Sequence, residues 1–177
     1  MAHLLILGGQ RSGKSRYGEA IVGASGKAQV YIATATAGDD EMRARISAHR
    51  AGRGADWLTI EEPVELAATL ARLARPDRAL LVDCLTLWLA NLLAADRPLE
   101  AEFERLTGAL ADLASPVALV SNEVGSGIIP DNALARRYAD ALGILNQRVA
   151  AAVDQVVLMT AGLPTLIKPA RGVGVRL

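Results

Sequence analysis

Gly8-Gly9-Gln10-Arg11-Ser12-Gly13-Lys14-Ser15 satisfies the pattern G-x-x-x-x-G-K-[ST] in full. Each residue type in it answers a need of polyphosphate chemistry. Glycines let the backbone turn so that consecutive N–H groups face a phosphate, and a helix starting there adds a partial positive charge. Lys14 can reach the β- and γ-phosphates, and the Ser15 hydroxyl can ligate Mg²⁺. The competing reading, a structural glycine turn with an exposed lysine, is disfavoured by the apolar strand before the turn and the helical pattern after it. A carboxylate for the same cation is also present. Leu80-Leu81-Val82-Asp83 ends an apolar run on an aspartate, which a buried strand would place where it holds Mg²⁺ directly or through water. Taken alone, Asp83 fits equally well as a cap for the following helix.

The other chemistry-bearing residues are less specific by themselves. His49 is spaced with Met42 and Ile46 as a partly buried packing residue would be, and Arg45, Arg50 and Arg53 surround it in sequence. Those arginines suit either a triphosphate clamp or a solvated helix face. Glu123 follows the apolar run Val117–Val120, at the edge where open α/β sheets place ligands. It is a candidate to orient an acceptor hydroxyl or assist its deprotonation, with Asn122 a candidate to fix a phosphate or substrate amide. A hydrogen-bonded loop scaffold is the alternative for both. Gly125 and Gly127 give that loop backbone freedom. His3, ahead of the first strand, reads as structural.

The elements that must position these residues alternate along the chain. Strand-length apolar runs are Leu4–Leu7, Val30–Ala33, Leu58–Ile60, Ala79–Val82, Val117–Val120 and Gln155–Met159, with Thr165–Ile167 as a last edge strand. Helical patterns begin at Ser15–Val22, then Asp39–Arg50 with acids in its first turn, then Pro63–Ala74 with proline at its opening. Further helices are expected over Leu85–Ala95, Leu99–Ala114 and Asn132–Ala152. Strands that are apolar throughout and separated by helices imply a mainly parallel sheet covered on both faces. The 177 residues hold no internal repeat, low-complexity tract or linker, so one α/β domain is expected.

Composition bounds the rest. Nineteen basic residues balance nineteen acidic ones, so no broad basic field points to nucleic acid or an anionic membrane, and anion recognition must be local. A chain that is 51% hydrophobic and 21% charged can bury a sizeable core. The lone Cys84 excludes an internal disulfide and fits a reducing cytosol. No secretory signal is expected at Met1, and the charge-free run Cys84–Ala95 falls short of the ~18–20 residues needed to span a bilayer. A cytoplasmic protein is expected.

Read together, the motifs resemble one family. Gly8–Arg16, Tyr31-Ile32-Ala33-Thr34-Ala35, Asp39-Asp40-Glu41-Met42, Arg45-Ile46 with His49, Ser121-Asn122-Glu123-Val124-Gly125, Gly127-Ile128-Ile129-Pro130 and Asn146-Gln147-Arg148 occur in that order. This resembles the bifunctional adenosylcobinamide kinase/adenosylcobinamide-phosphate guanylyltransferase family of cobalamin biosynthesis, over nearly the whole chain to Lys168. The phosphate turn is generic; the His49 segment and the Asn-Glu-Val-Gly loop carry the specificity. Two departures stand out. Gly54 replaces the usual proline in Arg53-Gly54-Ala55-Asp56-Trp57, and Gly18 stands where alanine is usual. Neither removes a chemical group.

The resemblance implies a single RecA-like P-loop NTPase domain. It implies phosphorylation of the aminopropanol hydroxyl of adenosylcobinamide by ATP or GTP, then transfer of GMP from GTP to that phosphate with release of pyrophosphate. The guanylyl step would pass through a GMP–histidine phosphoramidate on His49. The chemistry suits imidazole, whose ordinary pKa of about 6.5 leaves much of it a neutral nucleophile near pH 7. Lys14 and Glu123 would also be catalytic. Nucleotide contacts implied by analogy are Gly8, Gly9, Gln10, Arg11, Ser12, Gly13, Lys14 and Ser15, then Thr34, Ala35, Thr36, Arg50, Ala51, Gly52, Arg53, Glu61 and Asp83. Mg²⁺ would be held by Ser15 and Asp83. The resemblance further implies a homo-oligomer, a trimer, with Trp88–Leu93 and the helix after Pro130 as candidate contacts beside their core-packing role. Competing functions are a simple P-loop small-molecule kinase, in which His49 is only structural, and a nucleotide-driven switch or motor module. The latter would favour a second domain or a basic partner surface.

Overall fold

The computed structural model describes residues 2–36 and 56–169. The expected helix Asp39–Arg50, and with it Arg45, His49 and the Arg50–Arg53 segment, lies outside the described residues. Among those described, the apolar runs form β1 (Leu4–Gly8), β2 (Ala28–Ala33), β3 (Trp57–Glu61), β4 (Arg78–Asp83), β5 (Val117–Val120), β6 (Gln155–Thr160) and β7 (Leu163–Lys168). They make one sheet in the order β3-β2-β4-β5-β1-β6-β7. Every pairing from β3 across to β6 is parallel, and only β7 runs antiparallel, as a hairpin partner of β6 on the sheet edge. Edge position explains why β7 is almost entirely exposed while β5 is buried at every residue.

Alternation along the strands divides the core in two. Leu5, Val30, Ile32, Leu80, Val82 and Leu119 face one side of the sheet, and Ile6, Tyr31, Ala33, Leu81, Val120 and Val157 face the other. The first side is covered by α2 (Leu66–Leu73), α3 (Leu85–Ala94), α4 (Leu99–Asp112) and α5 (Ala133–Ala152). Among the described residues, the second side is covered by α1 (Lys14–Gly23), through Val22 and Tyr17. The mainly parallel, doubly covered sheet expected from the sequence is thus observed.

One helix start differs from expectation. Α2 opens at Leu66 rather than at Pro63, because the Glu62 carboxylate organises a separate turn first. It accepts N–H bonds from Val64 at 3.0 Å and Glu65 at 2.7 Å, and a hydroxyl bond from Thr69 at 3.0 Å. Α5 starts as expected, capped by Asn132, whose Oδ1 accepts from the N–H of Leu134 and Ala135. His3 is structural as expected. It is buried, its backbone N–H donates to Asp154 Oδ2 at 2.7 Å, and burial holds its imidazole pKa below the ordinary value.

Trp88 locks α3 to the sheet. It is fully buried, its indole N–H donates to the Val64 carbonyl at 2.8 Å, and with Leu89 and Leu92 it belongs to the core. Trp88→Ala is expected to lower stability by about 3–5 kcal/mol through the cavity it leaves, read as a reduced urea midpoint. A shift under about 1 kcal/mol would contradict this packing.

Candidate active site

The phosphate turn is shaped by contacts that exclude side chains. A Cβ on Gly8 would meet the Met159 carbonyl oxygen at 2.5 Å, so β6 can pass this close only to a glycine. Gly13, which precedes α1, has φ 95°, a left-handed conformation that favours glycine. No side chain caps α1, so the amides of its first turn remain directed at the turn's concave side. Two neighbours brace the loop. The Gly162 N–H, in the β6–β7 turn, donates to Ser12 O at 3.0 Å, and the Glu123 N–H donates to Gly8 O at 3.0 Å.

Lys14 is buried, with Nζ donating to Gly9 O at 2.6 Å. Burial pulls its ammonium pKa below the ordinary value, with Cys84 and Asp83 acting in the opposite direction. A partly desolvated cation beside unsatisfied amides is suited to an anionic ligand.

The turn opens onto a cavity of about 740 Å³, lined by residues 10–16, Tyr31, Ala33, Ala35, Asp83, Cys84, Thr86 and Asn122, with the Ala161–Gly162 turn at its rim. Asp83 ends β4, and β5 alone separates it from β1. Its Oδ2 accepts from the Tyr31 hydroxyl at 2.8 Å, and the Tyr31 ring packs edge-on against Trp57 with centroids 6.1 Å apart. The Cys84 thiol is pushed up to about 11, first by burial and then by the Asp83 charge, so it is an un-ionised wall residue near neutral pH.

The sequence-expected residues divide clearly. Gln10–Ser15, Ala35 and Asp83 share the cavity. Thr34 does not line it. Fully buried, its hydroxyl donates to Cys84 O at 2.7 Å and accepts from Cys84 N–H at 2.8 Å, which fastens β2 to the end of β4. Thr36 and Glu61 are exposed on the same carboxyl edge, Glu61 at the end of β3, four strands from β1 or about 19 Å at ordinary strand spacing. Glu123 faces a smaller cavity of about 450 Å³ on the other side of the phosphate turn, shared with residues 9–12, Ser126 and Met159. Its Oε1 accepts from the Gly125 N–H at 2.6 Å, so the loop-scaffold role expected as the alternative is also present.

Tyr31, Thr86 and the Ala161–Gly162 turn line the cavity although sequence reasoning alone does not place them there. The last had a legible signal in the glycine–proline punctuation of Gly162-Leu163-Pro164. Gly18 has a packing reason here, since a Cβ would come within 2.8 Å of Leu81 Cδ1.

Among the described residues no three His, Cys, Asp or Glu side chains cluster as a metal cage. Ser15 and Asp83 line the same cavity and carry oxygens of the kind that fit Mg²⁺, which takes one or two protein oxygens and completes its shell with phosphates and water. No helix among the described residues is long and apolar enough to cross a membrane.

A parallel sheet whose first strand runs through a glycine turn into a helix, with a strand-end aspartate one strand removed, defines a P-loop nucleotide-binding protein of RecA-like fold. Solved structures agree on the fold. The chain resembles the RadB recombinase (17% identity, TM-score 0.53, covering 89% of this chain and 73% of that one). It also resembles a protein of Pyrococcus horikoshii OT3, Project ID PH0250 (13% identity, TM-score 0.54, covering 95% and 88%). The chain belongs to the cobinamide kinase / cobinamide phosphate guanyltransferase family, CobU, whose model matches residues 4–167, and it is an enzyme of that family. It is 53% identical to the bifunctional adenosylcobalamin biosynthesis protein CobP of Pseudomonas aeruginosa, over 93% of this chain and 96% of the relative. It is 41% identical to the bifunctional adenosylcobalamin biosynthesis protein CobU of Salmonella typhimurium, over 93% and 99%.

Proposed function

We propose that one domain performs both steps on one nucleotide-binding edge: phosphorylation of adenosylcobinamide, then guanylylation of the product. The observation that carries this reading is the convergence of Lys14, Ser15 and Asp83 on a single cavity beside the uncapped start of α1. In the first step the aminopropanol hydroxyl oxygen attacks the γ-phosphorus of ATP or GTP. The bond from γ-phosphorus to the bridging oxygen breaks, the nucleoside diphosphate leaves, and the hydroxyl proton is released. In the second, an imidazole nitrogen of His49 attacks the α-phosphorus of GTP and pyrophosphate leaves. A phosphate oxygen of adenosylcobinamide phosphate then displaces the imidazole, giving adenosylcobinamide-GDP.

Lys14 and the turn amides stabilise charge on the departing groups in both steps. Mg²⁺ on Ser15 and Asp83 supplies further charge neutralisation on the phosphates when bound. Glu61 and Thr36, with residues 50–53, belong to the guanosine end of the site, since a nucleotide lying along the carboxyl edge of the sheet extends from β1 toward β3. A carboxylate suits guanine N1–H and N2–H₂ or the ribose hydroxyls. Glu123, across the phosphate turn, is assigned to the acceptor hydroxyl. We assign the chain to the cytoplasm as a homo-oligomer, a trimer.

Tyr31 is expected to set the metal requirement by fixing Asp83. Tyr31→Phe should raise the Mg²⁺ concentration for half-maximal activity about tenfold, as loss of a partner to a metal-holding carboxylate does elsewhere. An unchanged Mg²⁺ titration would remove Asp83 from the cation site. The function itself is tested by supplying adenosylcobinamide with γ-labelled ATP and then α-labelled GTP. Both labels should enter the corrinoid product. Incorporation of the γ-label alone would make the protein a simple kinase.

A further inference from the structure

Asn146 lies in the interior of α5, only 7% exposed, where its carboxamide must find protein partners. Both ends of that amide are used on the segment that leaves β5. Its Oδ1 accepts from the Ser121 hydroxyl at 2.7 Å, and its Nδ2 donates to the Asn122 carbonyl at 3.0 Å. The N–H of Asn122 in turn donates to Thr86 Oγ1 at 2.8 Å, and the Thr86 carbonyl accepts from the Tyr138 hydroxyl, also on α5, at 2.7 Å. Both backbone groups of Asn122 are therefore held. Its side-chain amide, by contrast, makes no hydrogen bond among the described residues and lines the large cavity. Since β5 runs between β1 and β4, this amide emerges between the phosphate turn and Asp83.

We infer that Asn146 is a positioning residue of the transfer site: by clamping Ser121 and Asn122 it aims the free Asn122 carboxamide at the terminal phosphate of a bound nucleoside triphosphate. The inference rests on the reading above, in which the triphosphate lies on the Gly9–Ser15 turn. A carboxamide N–H₂ held where it reaches only the terminal phosphate donates to the triphosphate and finds no acceptor on the diphosphate. Ser121 and Asn146 never touch the ligand; they reduce the freedom of the residue that does.

The test compares Kd for GDP and for a non-hydrolysable β,γ-imido analogue of GTP, each with Mg²⁺. The proteins are wild type, Asn122→Ala, Asn146→Asp, Ser121→Ala and the Asn122→Ala/Asn146→Asp double variant. Asn146→Asp keeps an acceptor for Ser121 but sets an oxygen against the Asn122 carbonyl. Asn122→Ala and Asn146→Asp should each reduce the preference for triphosphate over diphosphate roughly tenfold, the effect of losing one hydrogen bond to a charged group. GDP affinity should stay within about twofold, and the double variant should be no worse than Asn122→Ala, because Asn146 acts only through Asn122. An unchanged preference, or effects that multiply, would overturn the inference and leave Asn146 a structural tie. If Asn146→Asp does not fold, Ser121→Ala makes the same comparison with one hydroxyl removed. A Lys14→Ala control separates the two levels. GDP binding indifferent to that change sinks the placement of the phosphates, whereas GDP binding lost with Lys14 but an unaltered preference in the Asn122 variants sinks this inference alone.

Discussion

Lys14→Ala should disable both transfers together, lowering kcat/KM of each by about 10²–10³-fold, the loss seen when one preorganised charge-stabilising donor is removed. The expectation follows from where the ammonium sits. It is 6% exposed, donates to Gly9 O at 2.6 Å, and burial pulls its pKa below the ordinary value. A cation already stripped of most of its water makes a stronger contact with phosphate than a solvated one. Its present partners, the Gly9 carbonyl at 2.6 Å and the Ser12 hydroxyl at 3.5 Å, both belong to the loop that would carry the ligand, so little has to rearrange when the phosphate arrives. The variant should remain folded, because Lys14 lies at the cavity and contributes nothing to the two apolar cores. Parallel kinase and guanylyl assays, with far-ultraviolet circular dichroism as the folding check, read the result. Survival of either activity within a few-fold of wild type would mean that the activity uses a different anchor.

His49→Ala should separate the two steps. Guanylyl transfer is expected to fall by on the order of 10⁴-fold, as when a covalent nucleophile is deleted, while phosphorylation of adenosylcobinamide changes little. On the proposed mechanism, the first displacement takes place at the γ-phosphorus and needs no imidazole, whereas the second would be divided into two displacements at the α-phosphorus by the histidine. Incubation with α-labelled GTP and Mg²⁺ should leave label on wild-type protein that survives denaturing electrophoresis and is lost in acid. The variant should acquire none. Equal loss of both activities would show that His49 supports the fold or the nucleotide site in general; retention of guanylyl transfer would remove the phosphoramidate from the mechanism.

Much of the fold was legible because local and long-range requirements agree. Val117–Val120 is apolar at every position and is buried at every position, and the turn from Leu7 to Ser15 announces the strand, the glycines and the helix in one stretch. Helix starts were less legible where a side chain intervenes, as Glu62 does before Leu66. That Lys14, Ser15 and Asp83 share one cavity was legible because spacing and strand position constrain them. The burial of Thr34 was not, since its hydroxyl is spent on Cys84, fifty residues away in sequence, a pairing that parallel contact between β2 and β4 creates. The same is true of Tyr31 on Asp83 and of Asn146 on Asn122. Each bond joins elements far apart in the chain, and nothing in the composition or periodicity of either segment marks its partner.

The account depends on polyphosphate being held by the backbone amides at the β1–α1 junction. The direct measurement is a crystal structure of the protein with Mg²⁺ and a non-hydrolysable GTP analogue. The prediction is phosphate oxygens within hydrogen-bond distance of the amides between Gly9 and Ser15, Lys14 Nζ moved from the Gly9 carbonyl onto them, and the cation beside Ser15 and Asp83. A nucleotide bound elsewhere, with Lys14 still on Gly9, would contradict it.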